Sequence, residues 1–382
     1  MRLSARGTLA RSGLAALAAT GMLHAAALTP ASGAENVCAR FGAATVAGHV
    51  KNAKLTEISG LVASRRHAGV YWTHNDSGGK PEVFALTLDG ADLGSYAFPS
   101  ATATDWEDIA IGSKAGATGS YIYAADIGDN AAELPFDGLG TAREKVTIYR
   151  APEPVLAPKA PGLPLTGVER FDLVYPAGRE DAEAVLVDPV TGDLVIVTKS
   201  PIGQSRILVA PAAAMVNGAT ITMQDFGTIQ IIPPVKISTF PGTWLTGADI
   251  SADGSLILLR TYQAVLAFAR AKGESVPAAL KHASCNAPQV DEGQGEAIAI
   301  AADGSRYLTI SEGVNQPINA FSIAGASLAP ATTTTSPATR VGAETLVRSG
   351  GDAGRALLLG AALVAVALAW RVAVHRSSWL RN

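Results

Sequence analysis

The chain has 382 residues, 48% hydrophobic and 16% charged, with 30 Lys and Arg against 33 Asp and Glu. The formal net charge of −3 excludes a nucleic-acid binder that works through a strong basic excess. Two cysteines exclude a disulfide scaffold and a cysteine-rich zinc site, and the length fits one large domain or two small ones.

Residues 1–34 read as a secretory signal peptide. Arg2, Arg6 and Arg11 make a positive start, Leu14 to Leu28 is an Ala/Leu-rich run without an acid, and Ser32-Gly33-Ala34 offers small residues for cleavage before Glu35. An uncleaved N-terminal anchor is the alternative. Residues 35–326 follow as one all-β domain. Short β-rich runs such as Val70-Tyr71-Trp72-Thr73, Val146-Thr147-Ile148-Tyr149 and Leu256-Ile257-Leu258-Leu259 recur between turn signals, and no long stretch has helical period.

Within this domain one element repeats five times: a polar residue opens a strand whose positions +2 and +4 are apolar. The copies begin at Ser59, Glu107, Glu183, Thr246 and Glu296, and are spaced 48, 76, 63 and 50 residues apart. The Thr246 and Glu296 copies share an Asp-Gly turn, Asp253-Gly254 and Asp303-Gly304. Such a period, with about four strands per unit, marks a five-bladed β-propeller. The last unit offers only three strands, and Ala43–Val50 is expected to supply its missing outer strand and close the ring. A six-bladed ring stays open as the alternative, if the Pro-rich insert Ala151–Thr166 hides a degenerate unit. Cys38 precedes the closing strand and Cys285 precedes the last unit. In an exported protein the two are expected to pair and to staple the N-terminus to the blade it completes.

Residues 327–354, with Pro330-Ala331-Thr332-Thr333-Thr334-Thr335-Ser336-Pro337, read as a disordered Thr/Pro/Ser-rich linker. Residues 355–375 read as a transmembrane helix built on the apolar run Ala356 to Trp370, and 376–382 as a basic cytoplasmic tail. Arg371, Arg376 and Arg381 place the tail inside and the propeller outside a single-pass plasma-membrane protein.

Glu57-Ile58-Ser59-Gly60-Leu61, Leu86-Thr87-Leu88-Asp89-Gly90, Asp105-Trp106-Glu107-Asp108-Ile109-Ala110, Ala182-Glu183-Ala184-Val185 and Gly295-Glu296-Ala297-Ile298-Ala299 resemble the SdiA-regulated family of periplasmic propellers. They are similar as well to the "esterase-like activity of phytase" propeller group. The order Ser, Glu, Glu, Thr, Glu resembles the five-bladed calcium-activated nucleotidases. The resemblance covers most of residues 55–325 and implies a propeller fold and a metal. Outside the repeat, no set of residues matches the nucleotidases' substrate-binding groups.

In a propeller the innermost strand of each blade lines the central channel. Ser59, Glu107, Glu183, Thr246 and Glu296 are therefore expected to form a ring at one mouth. Three close carboxylates repel one another and raise each other's pKa. A bound Ca²⁺, with its 6–8 oxygen ligands, removes that conflict, and the lack of histidine or cysteine disfavours zinc. A water-filled polar channel is the alternative. Asp249 is a second-choice ligand, its odd offset from Thr246 turning it away from the channel. A second acidic and polar group lies on strand-end loops at the same mouth: His74, Asp76, Asp105, Asp126, Asp129 and Asp181, either as ligand-facing loops or as ordinary turn chemistry. No Gly-x-Ser-x-Gly elbow or phosphate loop is present. Two functions follow: a tethered extracellular module binding a ligand or protein partner around a channel Ca²⁺, or a Ca²⁺-dependent phosphoesterase or esterase. The second needs a positive clamp, for which Lys80, Arg143, Arg179 and Lys199 are the candidates. A glycan-binding lectin has only the stalked architecture behind it.

Overall fold

A computed structural model of the chain describes residues 37–76, 78–133, 142–157, 160–233 and 240–325. The expected signal peptide, linker, transmembrane helix and tail lie outside the described residues. Among the described residues no helix is long and apolar enough to cross a membrane.

Five sheets form the five blades, and the structure is an all-β propeller. Blade 1 holds β2 (Ile58–Ala63), β3 (Val70–Asn75), β4 (Glu82–Thr87) and β5 (Asp92–Ala97), with β9 (Ala160–Pro164) added outside. Blade 2 holds β6 (Trp106–Gly112), β7 (Tyr121–Asp126), β8 (Val146–Pro152) and β10 (Glu169–Val174), with β14 (Thr220–Thr222) outside. Blade 3 is β11 (Ala182–Val187), β12 (Leu194–Thr198), β13 (Gln204–Ala210) and β15 (Gln224–Gln230). Blade 4 is β16 (Leu245–Ile250), β17 (Leu256–Thr261), β18 (Val265–Ala269) and β19 (Cys285–Ala287). Blade 5 is β20 (Gly295–Ile300), β21 (Arg306–Ser311) and β22 (Pro317–Ile323), completed by β1 (Phe41–His49), which pairs antiparallel with β22.

The inner strands β2, β6, β11, β16 and β20 touch one another in that order around the ring. Each is buried along its whole length apart from the last residue of β6, because a neighbouring blade covers each face. That explains their near-continuous apolar runs. The outer strands β1 and β15 are largely exposed or half-buried. Five apolar clusters fill the five gaps between adjacent blades. Trp72 and Trp106, both fully buried, anchor the gap between blades 1 and 2. The two Asp-Gly turns are built alike: Asp253 Oδ1 accepts from Ser255 N at 3.1 Å, and Asp303 Oδ1 from Ser305 N at 2.9 Å.

Two expectations are corrected. The Pro-rich insert makes no sixth blade. It runs from β8 back to blade 1 and adds β9 parallel to β5, with Tyr96 opposite Leu163. Cys285 does not sit in the blade that the N-terminus completes. It opens β19, paired opposite Ala267 in blade 4. The Cys38–Cys285 disulfide therefore spans the gap between blades 4 and 5, where Phe41, Tyr307 and Phe321 also pack.

Buried ion pairs cross other gaps. Arg270 grips both oxygens of Asp188 at 2.9 and 2.8 Å, tying blade 4 to blade 3.

Because the disulfide closes a long loop at the ring's seam, the Cys38→Ser/Cys285→Ser double variant is expected to lose about 2–4 kcal/mol of stability. A lower midpoint in urea or thermal melting checks this.

Candidate functional site

In each blade the pairing of the first two strands slips by one residue near the start of the inner strand. The slips fall between Ile58 and Leu61, Trp106 and Asp108, Ala182 and Ala184, Leu245 and Gly247, and Gly295 and Ala297. The residues in the slips include the five repeat residues Ser59, Glu107, Glu183, Thr246 and Glu296, each fully buried. A bulge re-aims its extra side chain away from the ladder. The repeat seen in the sequence is thus a repeated β-bulge.

The five residues have different surroundings. Ser59 Oγ donates to the Glu107 carbonyl at 2.6 Å, and Thr246 Oγ1 to the Gly295 carbonyl at 3.2 Å, so each hydroxyl ties its blade to the next. Glu183 pairs with Lys199 Nζ, which also lies 3.7 Å from Asp181 Oδ2 and 4.9 Å above the Trp244 ring. Glu296 Oε1 accepts from the Tyr262 hydroxyl at 2.8 Å. Glu107 instead meets Asp76 and Asp105. Among the described residues these three form the one set of His, Cys, Asp or Glu whose ligand atoms lie within 4.8 Å of one another.

One position decides these differences. The residue directly after the second strand of a blade, next to the bulge, is Asp76 in blade 1, Lys199 in blade 3 and Tyr262 in blade 4. Tyr262 brings a hydroxyl donor to Glu296 of the following blade. Asp76, in the same place one blade before Glu107, brings a carboxylate. The Gly128 backbone closes in on the same two acids, since a Cβ there would collide with Glu107 Oε1 and Asp105 Oδ2.

The other acids of this mouth shape its loops. Asp126 Oδ1 accepts from Asp105 N at 3.0 Å and pairs with Arg143 Nη1 at 2.9 Å. Asp129 Oδ2 accepts from Arg143 N at 2.6 Å, and Asp181 Oδ1 from Asp129 N at 2.7 Å. Burial raises the Asp129 carboxyl above its ordinary range, with Asp181 adding to the effect. His74 is fully buried, packed edge-on to Trp106, and its Nδ1 donates to the Asn75 carbonyl at 2.9 Å. Its ring lies over Gly60, where any Cβ would strike Nε2. Burial pulls its pKa down to about 4, so the ring is neutral.

Two acids inside the channel were not recognised from the sequence as structural. Asp108 Oδ2 accepts from Val185 N at 2.8 Å and Ala248 N at 3.2 Å, and Oδ1 from Ile109 N at 2.8 Å. One side chain of blade 2 thus binds the inner strands of blades 3 and 4. Asp249 reaches the next blade: Oδ2 accepts from Ile300 N at 2.6 Å and Oδ1 from Ile250 N at 2.8 Å. The signal for Asp108 was an acid inside the apolar run Trp106–Gly112. Lys199 was visible only as a candidate phosphate clamp, and Trp244 not at all, because the Lys199–Trp244 contact joins blades 3 and 4.

The set Asp76, Asp105 and Glu107 fits a hard cation. Two oxygens on opposite sides of one Ca²⁺, each 2.3–2.6 Å away, are about 5 Å apart. The ligand oxygens of this set all lie within 4.8 Å of one another, close enough for one such ion to reach all three. Ca²⁺ accepts the irregular geometry of a strand-end site better than Mg²⁺ does.

A scan against models of protein families finds none that matches this chain, and a search of the curated proteins finds no match either.

Asp108→Ala leaves three buried N–H groups without their acceptor, at about 1–3 kcal/mol each, and is expected to destabilise strongly in chemical denaturation. Asp249 yields a pH signature. Burial lifts its carboxyl from 3.8 to about 6 against the pull of Arg65, with Asp108 and Tyr71 also within its field. Across that window the folded chain keeps a proton that the unfolded chain has lost. The Asp249 contribution to stability therefore falls as pH rises from about 4 to 6, by about 3 kcal/mol in all. Asp249→Asn is expected to remove that slope from the stability–pH profile.

Proposed function

We propose that this protein is an exported β-propeller, tethered to the plasma membrane by residues 355–375, that binds Ca²⁺ at one channel mouth and uses the ordered mouth to hold an extracellular ligand or protein partner. The observation that carries this reading is the convergence of Asp76, Asp105 and Glu107 at a position where the equivalent acid of blade 5 meets a hydroxyl. A cation among three carboxylates packed this closely removes their mutual repulsion. The remaining ring residues Ser59, Glu183, Thr246 and Glu296 build the rim around that ion. The Cys38–Cys285 bond supports export, since such bonds persist in oxidising compartments. The resemblance to SdiA-regulated and phytase-like propellers points the same way.

Binding is favoured over hydrolysis by what surrounds the cations. A phosphoesterase needs positive groups available to a phosphate. Lys199 is engaged by Glu183 and Arg143 by Asp126, which leaves only Lys80 and Arg179, both exposed to solvent.

The test is a melting curve of the purified protein with Ca²⁺, with Mg²⁺ and with EDTA, alongside calorimetric Ca²⁺ titration. An ion at 100 times its Kd is expected to add about 2.7 kcal/mol, seen as a Ca²⁺-specific rise in Tm. Glu107→Gln is expected to abolish the rise and the binding heat. Equal melting in all three conditions, without binding heat, overturns the reading.

A further inference from the structure

The inner strands run side by side in one direction, so they begin at one mouth of the channel and end at the other. The acids of the cation site occupy the start, while Asp249 and Asp188 lie towards the far end. At the far end lies a cavity of about 430 Å³, within the range of small-molecule sites. Val187 and Ile250, the last residues of β11 and β16, line it, with Ser113, Ser120, Arg65 and Arg66. Its wall is therefore drawn from four blades, and its charged lining is two arginines.

Arg65 is held in an unusual way. It follows β2 in blade 1, yet its Nη2 donates to the Ile250 carbonyl in blade 4 at 3.2 Å. Blades 1 and 4 are not neighbours in the ring, so the side chain reaches across the mouth. Its Nη1 is buried and has no hydrogen-bond partner among the described residues. A guanidinium presents five donors in a planar fork, and a buried donor left unmet is costly. The acids around it have other duties. Asp249 accepts two backbone N–H groups, Asp188 is gripped by Arg270, and Glu153 accepts from Ser64, Ser120 and Trp72. Arg66, beside it, is exposed to solvent.

We infer that this cavity is a binding site for a small organic anion, whose carboxylate or phosphate head is taken by Arg65 and Arg66. The exposed Arg66 offers its planar fork for two-point recognition of either oxyanion, and Arg65 adds a second, fixed positive charge. The apolar Val187 and Ile250 suit the ligand's carbon body. The cavity is separate from the cation site, and the inference stands whether or not Ca²⁺ binds there.

Calorimetric titration of the full chain with inorganic phosphate and with citrate tests it. The titrations run at constant ionic strength on protein and buffers stripped of divalent cations by chelating resin, so that chelation at the other mouth contributes nothing. Saturable binding of at least one probe is expected, and the probe that saturates identifies the head group. Arg66→Gln is expected to weaken it roughly tenfold, about 1.4 kcal/mol. Arg65→Lys, which keeps the charge but not the fork, is expected to weaken it too. Arg66 is exposed, so its variant carries the test even if Arg65 variants fail to fold. Absence of saturable binding by both probes overturns the inference, and so does an affinity unchanged by Arg66→Gln.

Discussion

The innermost strand of every blade has one edge with no neighbouring strand. Elsewhere such an edge meets water or another strand. Here five edges face one another across a channel too narrow for a sixth strand, and their N–H groups still need acceptors. Asp108 and Asp249 supply them. Asp108 takes N–H groups from β6, β11 and β16, and Asp249 takes them from β16 and β20. The cost is a pair of buried carboxyls whose pKa values burial pushes up. The gain is that four of the five blades are tied by backbone bonds at the axis, and not only by apolar contact between their faces.

The same edge explains the bulges. A regular ladder sends alternate side chains into the gaps on either side of a blade. An extra residue breaks that alternation and lets a polar side chain leave the apolar gap. It happens at the same place in all five blades, which makes polar groups converge at one mouth. What each group does there is then decided by the residue that follows the second strand. Lys199 turns Glu183 into half of an ion pair, Tyr262 turns Glu296 into a hydrogen-bond acceptor, and Asp76 leaves Glu107 in an acidic cluster.

This division sets how far the sequence could be read. The repeat was legible because bulge and alternation leave a local pattern: a polar residue followed by apolar positions at +2 and +4. The count of five blades and the closing strand near Ala43–Val50 followed from that pattern, and the Cys38–Cys285 pair from the expected export of a chain with two cysteines. The parallel β9 was not legible, because its partner strand lies more than 60 residues earlier and Pro-rich sequence carries no strand alternation. That the Cys38–Cys285 bond joins blade 4 to blade 5 was not legible, since the three-residue β19 is too short to show a period. At the site, the individual residues were visible but their groupings were not. Nothing local in Glu107, Glu183 and Glu296 separates an ion-paired acid from a clustered one. Each distinction comes from a side chain that folding brings to it from another strand or another blade.

The axis residues have a further consequence for the shape of the molecule. Asp108 joins blade 2 to blade 4, and Arg65 joins blade 1 to blade 4. Neither pair of blades is adjacent, so both links cross the ring. A channel crossed twice is a poor conduit from one mouth to the other. The propeller is better described as two cups set back to back, one lined by carboxylates and one by arginines. They share walls, because each inner strand contributes its first residues to one cup and its last to the other. The strands are only six or seven residues long, braced near the start of β6 by Asp108 and near the ends of β16 and β20 by Asp249.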